Sequence, residues 1–541
     1  MHIGRILSVA VSALCLLSCN REKDNTSYTL VYGGDLFLGR GINEALFDPA
    51  QRAEMFGDTA PLFRGASIAL VNGEGVISKG GILFDKGEPR PFMFRAHPYA
   101  VDVLKGAGID VVNAGNNHAC DYGREALREM LDRLRIAGID YTGAGLDVID
   151  SRTASFHKLG NLTVAIIGAD MTIAGLCSAQ EKLPGVLFYD ISSPQASIDT
   201  VVRDLTGVLK RAREHADLVF LTPHWGDNGK DAPTETTRQL AARLIKAGFD
   251  GILGHSAHRF QGVEIIDGKP VIYDAGQLID DMGGAQAMIW ELKFNRKGVV
   301  AINGHPIRLQ RNRTMLADAK NANSIVERLR KLSEPFGTAL FVKDNTVSAT
   351  CRPNGHAAPS DPPPERPVPK TVRLAVSDLV RDTMPADTTP AEVVYENGIT
   401  LVGYKLYTDK LSVPKGAQVT ELYFKAAGKL TGNIHVHLDA VSDAGGRDAD
   451  RHIPGDWLMP VSIWPRGRLI TDRKLFRLKS APKGTMVFTA ALVDQKLLKP
   501  LKSSLPMKDD YRFILGEATY TEGAPRIYHF IHQVDALRSG K

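Results

Sequence analysis

The sequence predicts an α/β domain joined through a proline-rich linker to an all-β domain, and three observations carry that reading. From Thr29 to about Leu309, short apolar runs alternate with amphipathic stretches whose apolar residues recur at three- and four-residue spacing, as alternating strands and helices do. Between Cys351 and Pro369 stand Pro353, Pro359, Pro362-Pro363-Pro364, Pro367 and Pro369, which cannot build a packed element and read as a semi-rigid extended linker. From about Thr371 to Ile531 the runs are short and alternating with few helical stretches, the pattern of a β-sandwich. The expected boundaries are 29–350 for the α/β domain, 351–370 for the linker and 371–541 for the β-sandwich. A chain of 541 residues exceeds one ordinary core, which agrees with more than one folded unit.

Hydrophobic residues at 43% and charged residues at 23% fit a folded chain and exclude disorder as the main state. A net charge of +5 is too small to imply a nucleic-acid partner, although it would suit an acidic one. The N-terminus is more specific. Met1 to Arg5 is short and basic, Ile6 to Leu17 is apolar, and Leu16-Leu17-Ser18-Cys19 closes the segment. The apolar run has the length of a signal core and is too short to span a bilayer. The closing tetrad resembles a lipobox, which implies a lipoprotein signal over 1–18, lipidation of Cys19 and a polar tether over 19–28. An ordinary secretory signal is the alternative, and either one exports the chain. Of the remaining cysteines, Cys120, Cys177 and Cys351 cannot complete a disulfide framework; one bridge such as Cys120 to Cys177, or free buried thiols, fit equally.

Taken in order, the α/β strands fall at Leu30–Tyr32, Ile68–Val71, Val111–Val112, Thr163–Ile167, Leu218–Leu221, Gly251–Leu253 and Val271–Tyr273, with Val299–Leu309 closing the domain. Helices are expected over Pro98–Ala107, Arg124–Ala137, Ala196–His215, Thr234–Lys246 and Leu316–Leu332. Ala107-Gly108-Ile109-Asp110, Ala137-Gly138-Ile139-Asp140 and Ala247-Gly248-Phe249-Asp250 read as helix ends with glycine in the left-handed position. In the sandwich, strands are expected over 401–406, 419–426, 433–438, 486–492 and 511–515. His435 and His437 share a face of one strand and read as part of a half-buried surface.

Five strands of the α/β part finish in chemistry-bearing residues. The runs lead into Asp35, Glu74, Asn116-Asn117-His118, His224 and His255-x-x-His258, each with a glycine close by. In open parallel sheets, ligands collect beyond the carboxyl ends of the strands. Singly, each residue has a structural use: Asp35 and Glu74 as first-turn acids, the asparagines as turn residues, His224 as a packed ring beside Trp225. Jointly, oxygen and imidazole donors of this kind suit Zn, Mn or Fe rather than Ca or Cu(I), and six of them exceed what one tetrahedral ion needs. One or two divalent transition metals are therefore the expected cofactor.

Gly34-Asp35 with Leu38-Gly39-Arg40, Asn72-Gly73-Glu74, Asn113-x-x-Asn116-Asn117-His118-x-x-Asp121, His224-Trp225-Gly226 and Gly254-His255-x-x-His258 together resemble the ordered motifs of the bacterial capsule synthesis, poly-gamma-glutamate-type (CapA-like) family, which is similar to the calcineurin-like metallophosphoesterases. The resemblance spans about Thr29 to Asp281. It implies a layered α-β-β-α sandwich with Asp35, Glu74, Asn117, His224, His255 and His258 as metal ligands and Glu74 as a bridge. It implies His118 as the general acid and Asp121 as the group orienting that imidazole. The sequence also departs from the pattern. Phe37 stands where metallophosphoesterases carry a histidine two after the first aspartate, Ser256-Ala257 stands where the family usually has His-Pro between the last two histidines, and Tyr273-Asp274-Ala275-Gly276-Gln277 stands where it usually reads Tyr-Ser-x-Gly-Asn. The C-terminal run Pro460 to Asp472 is faintly similar to β-sandwich modules attached to bacterial cell-envelope glycan enzymes.

The function so implied is an exported, membrane-anchored envelope protein with a metallophosphoesterase-like site. It would act in assembly, anchoring or trimming of an anionic surface polymer, such as poly-gamma-glutamate or another capsule polymer, with or without a polymer synthase complex. The alternatives are a non-catalytic scaffold binding polymer or a synthase, and a secreted metal-dependent phosphoesterase; no nucleic-acid role is expected.

Overall fold

The computed structural model describes residues 26–520 apart from 85–91, 173–176, 194–195, 353–354, 357–358, 375–378, 408–416, 443–446, 478–483, 498 and 505–511. The expected signal segment, Cys19 and most of the tether lie outside the described residues. Among the described residues, no helix is long and apolar enough to cross a membrane.

Six strands position the site. β1 (Tyr28–Leu36), β2 (Ile68–Gly73) and β3 (Val111–Asn113) run parallel within a ten-stranded sheet. β4 (Leu162–Asp170), β5 (Leu218–His224) and β6 (Gly251–Leu253) run parallel within a six-stranded one. Each contains the apolar run that announced it, and β1, β2, β3 and β5 extend toward the carboxyl end to take in Asp35, Asn72, Asn113 and His224.

Strand alternation decides which side chains meet. Leu30, Tyr32, Ile68, Leu70 and Val111 share one apolar layer with Val164, Ile166, Leu218, Phe220 and Leu253 of the other sheet. Their alternates Val31, Ala69, Val71 and Val112 pack on α1 (Ala100–Ala107) and α2 (Gly123–Ile136). Ala165, Ile167, Val219, Leu221 and Ile252 pack on α3 (Ile198–Arg213) and α4 (Glu235–Ala247). The result is a mixed α/β body in which two sheets face each other and helices cover both outer faces. Gly108, Gly138 and Gly248 take positive φ at the helix ends, and Ser197 and Thr234 cap α3 and α4 through their hydroxyls. A long antiparallel hairpin, Gln286–Asn295 with Gly298–Gln310, extends the larger sheet from β1, and α5 (Ala319–Ser333) follows.

The proline-rich stretch is extended, yet it lies against the α/β body. Arg366 stacks over Tyr141 and pairs with Asp140 and Asp150, and His356 meets Asp250 at 2.6 Å. Beyond it, two five-stranded antiparallel sheets bury Leu401, Leu422, Phe424 and Ile470 against Val436, Leu438, Phe488 and Phe513. The five expected strands fall inside Ile399–Leu406, Ala417–Ala426, Ile434–Ser442, Gly484–Asp494 and Phe513–Tyr520, save Tyr511, which lies outside the described residues, and Asn433 and Arg512, which precede their strands.

Two readings change. Cys120 and Cys177 form the bridge that the sequence left open, while Cys351 is a buried free thiol. His435 is 4% exposed rather than half-exposed, because this strand end docks on the α/β body, where Glu44 approaches both His435 and Asn433.

Candidate metal centre

Register brings the site together. Asp35, Asn72 and Asn113 are direct neighbours across β1, β2 and β3, and Asp170 and His224 are neighbours across β4 and β5, with His255 bridged to His224 just past β6. These two rows face each other at the carboxyl ends of the two sheets. A bulge at Gly34 sets the Asp35 register, and no other residue fits there: a Cβ would stand 1.8 Å from the Gly276 carbonyl oxygen.

Asp35, His224 and His255, all buried, offer donor atoms within 4.8 Å of one another. The two imidazole Nδ1 atoms of His224 and His255 are 2.7 Å apart. His258 Nδ1 sits 2.9 Å from Asp35 Oδ2, and Asn117 Oδ1 lies 2.9 Å from His224 Nε2. Glu74 stands slightly back, its Oε2 3.7 Å from His224 Nε2 and its Oε1 3.7 Å from His118 Nε2. All six expected ligands therefore border one volume, three of them in the tight cluster and three around it. His118 stacks on Phe94 with ring centroids 4.2 Å apart, and its Nδ1 lies 2.8 Å from Asp121 Oδ2, as expected of an oriented imidazole.

The loop carrying the last two histidines is strained. Ser256 and His258 have φ of 103° and 58°, conformations that cost about 1–3 kcal/mol each in non-glycine residues. The buried Asp274 holds the loop in place by accepting the Ala257 and Gly276 amides, so the departure at Gln277 does not remove this support.

Charge is crowded here. Burial, and then the Asp35 charge, push Glu74 up to about 8. Burial draws Asp35 upward too, but hydrogen bonding and charge from His258 outweigh it and leave its carboxyl below the ordinary range. Burial lowers His258, yet the Asp35 hydrogen bond and charge carry it to about 9. Burial holds His255 down to about 3 and His224 well below its usual value, so both rings are neutral, the form in which an imidazole ligates a metal. Glu74 Oε1 is buried without a hydrogen-bond partner. A buried orphan carboxylate oxygen, a second buried carboxylate and two neutral imidazoles fit a divalent transition metal better than any set of purely structural bonds.

Sequence reasoning overlooked the hub. Asn72 donates to Asp35 Oδ1 and Glu74 Oε2, each at 2.7 Å, and its Oδ1 accepts from Asn113 and Asn116 at 2.9 and 3.2 Å. The signal was available, since two neighbouring strands carry asparagine at their carboxyl ends beside the strand that carries Asp35 at its own. Phe37 lies against Phe94 at a centroid distance of 4.4 Å and forms an apolar wall of the cleft where the resemblance expected a ligand. That cleft, about 760 Å³, opens over Glu74, His118, His224 and His258 and is lined further by Arg40 and Trp225.

Residues 29–282 match the family described as bacterial capsule synthesis protein PGA_cap. A "Probable polyglutamine synthesis accessory protein" of Mycobacterium tuberculosis is 25% identical over 367 residues, covering 59% of this chain and 94% of that protein. The "PGA biosynthesis protein CapA" of Bacillus subtilis is 29% identical over 252 residues, covering 46% of this chain and 62% of that protein.

Proposed function

We propose, from the match of residues 29–282 to the bacterial capsule synthesis family, that the protein is a CapA-like exported hydrolase, anchored through lipidated Cys19, that acts on an anionic surface polymer during its assembly, anchoring or trimming. The observation that carries the catalytic part is the buried cluster of Asp35, His224 and His255 beside the His118–Asp121 pair at the floor of a cleft.

The metallophosphoesterase-like reading assigns Asp35, His224 and His255, with Glu74, Asn117 and His258 in reach, to holding one or two divalent ions of the Mn, Fe or Zn kind. Such ions supply a nucleophilic water at neutral pH and neutralise charge on the group attacked. The chain's own residues do the rest. Asp121 fixes the His118 tautomer through Nδ1, which leaves Nε2 to hold and deliver a proton to a leaving group in the cleft. Phe94 keeps that ring in plane. Arg40, stacked on Phe37 and Phe94 and paired with Asp281, presents a guanidinium edge to an anionic substrate. The substrate would be poly-gamma-glutamate or another capsule polymer, met alone or beside a synthase complex.

The test uses the full chain. Purified protein should hold transition metal that the His224→Ala/His255→Ala double variant lacks, and should cleave phosphoester or gamma-glutamyl amide probes with added Mn²⁺ in a His118-dependent way. Equal metal content in parent and double variant would sink the metal site. Phe37 favours a second reading, a non-catalytic polymer-binding scaffold, since it removes a ligand the phosphoesterase pattern expects. Polymer binding that persists in His118→Ala without any hydrolysis by the parent would support that alternative. Selective cleavage of small phosphoesters would instead favour a secreted phosphoesterase.

A further inference from the structure

The appended β-sandwich reaches the back of the candidate catalytic histidine. Two segments hold His118 in place: Phe94, which stacks on its ring and donates its amide to Asp121 Oδ2 at 2.6 Å, and Asp121, which takes the imidazole Nδ1. The residue following each of them, Arg95 and Tyr122, turns away from the cleft toward one carboxylate of the sandwich. Asp456 Oδ2 accepts the Tyr122 hydroxyl and lies 3.5 Å from Arg95 Nη2, while its Oδ1 is 2.9 Å from Lys474 Nζ. The Arg95 guanidinium sits 4.0 Å over the Tyr122 ring, so the two are locked to each other as well. Arg95 and Asp456 are 6% and 5% exposed.

The sandwich spends conformational strain to aim this carboxylate. Asp456 and Trp457 have φ of 51° and 72°, successive left-handed residues neither of which is glycine, at a cost of about 1–3 kcal/mol each. Asp472 shapes the turn by accepting the Gly455 and Asp456 amides at 2.8 and 3.2 Å, and is itself held by His452 Nε2 at 3.0 Å. Docking alone does not ask for this. The two parts already meet through Leu83 and Met93 against Val419 and Leu475, and buried ion pairs stabilise an interface no better than apolar side chains of similar volume. What a buried, directional charge adds is geometry.

We propose that Asp456 is a positioning residue for His118, acting through Tyr122 and Arg95, so that the sandwich completes the site it backs. The proposal rests on the reading of His118 as proton donor, and its test is built to separate the two.

In the full-length protein with 13Cε1-labelled histidine, the His118 signal is assigned by its loss in His118→Gln. Asp456→Ala should shift or broaden that signal with metal content unchanged. Where the parent hydrolyses a probe, turnover should fall on the order of tenfold with KM within about twofold, as a small misplacement of a catalytic group does. Asp456→Asn keeps an acceptor for Tyr122 and should recover part of both effects. Tyr122→Phe, which removes one hydroxyl, repeats the test should the alanine variant fold poorly. A His118 signal superposable on the parent's in Asp456→Ala or Tyr122→Phe, while His435 and His452 beside Trp457 move, overturns the proposal. A parent without metal or hydrolysis removes the catalytic reading alone, and the His118 signal still decides whether Asp456 positions the ring.

Discussion

Glu74→Gln should make the metal-free protein more stable and the metal-loaded protein less so. The carboxyl is buried between Asp35 and the histidines and titrates at about 8, against 4.5 for an unburied glutamate. The sign follows from proton counting. Between those values the folded chain holds a proton that the unfolded chain releases, so stability falls as pH rises through this window. At about 1.36 kcal/mol per pH unit, the cost is under about 1 kcal/mol at pH 5, about 3 kcal/mol at pH 7, and levels off near 5 kcal/mol above pH 8. Glutamine has the same shape and still accepts the Asn72 amide, but escapes that cost. In EDTA, its unfolding midpoint should therefore match the parent's near pH 5 and exceed it by about 6 °C at pH 7. With Mn²⁺ at about a hundred times its Kd, the parent should gain about 2.7 kcal/mol and the variant less, narrowing or reversing the gap. Thermal scans of both chains at three pH values, with and without metal, read all of this. An advantage of glutamine that does not grow with pH in EDTA, or equal metal stabilisation of both chains, would falsify the picture of Glu74 as a strained acid awaiting an ion.

Other outcomes follow from the same geometry. Asn72→Ala removes the donor to both carboxylates and should cost about 2–4 kcal/mol together with most bound metal, read by denaturation and elemental analysis. Phe37→His restores an imidazole to the cleft wall and should raise metal stoichiometry, whereas unchanged stoichiometry would show that Phe37 does not occupy a ligand position. His452 is lowered by burial but raised more by Asp472 and Asp450, to about 9. A base whose folded value is raised stabilises below its unfolded value near 6.5 and loses that contribution as pH rises toward 9. Stability of the full chain should thus decline by up to about 3 kcal/mol across that window, and His452→Gln should flatten the decline.

Much of the α/β body was legible because its strands are buried on both faces, and continuous apolar runs ended by glycine and a polar residue have few other readings. The site residues were legible for a related reason. A parallel sheet collects its carboxyl ends, so residues far apart in sequence become neighbours whenever each follows its own strand. What the sequence concealed depends on register and docking. Asn72 reads only as the residue that opens Asn72-Gly73-Glu74 until Asp35, Asn72 and Asn113 are aligned across three strands, where its amide donates to both acids. His435 reads as half-exposed because an isolated strand has an outer face, and only the approach of Glu44 covers it.

The same limit applies with more force to Asp456, and there it carries a functional consequence. Nothing in Gly455-Asp456-Trp457 signals catalysis; in its own domain it is a turn with an unfavourable backbone. A carboxylate placed there by two left-handed residues would be a burden to a free-standing sandwich, since burial of Asp456 is compensated by Lys474 from its own domain but also by Arg95 and Tyr122 from the other. Taking the sandwich away would leave Arg95 without this carboxylate and Asp456 with Lys474 alone, and breaking a buried pair in this way costs about 3–5 kcal/mol. The two parts of the chain are therefore tied by a cost of separation concentrated behind His118. A module that merely tethered a polymer near the site would have no need to place its strain and its charge at that point.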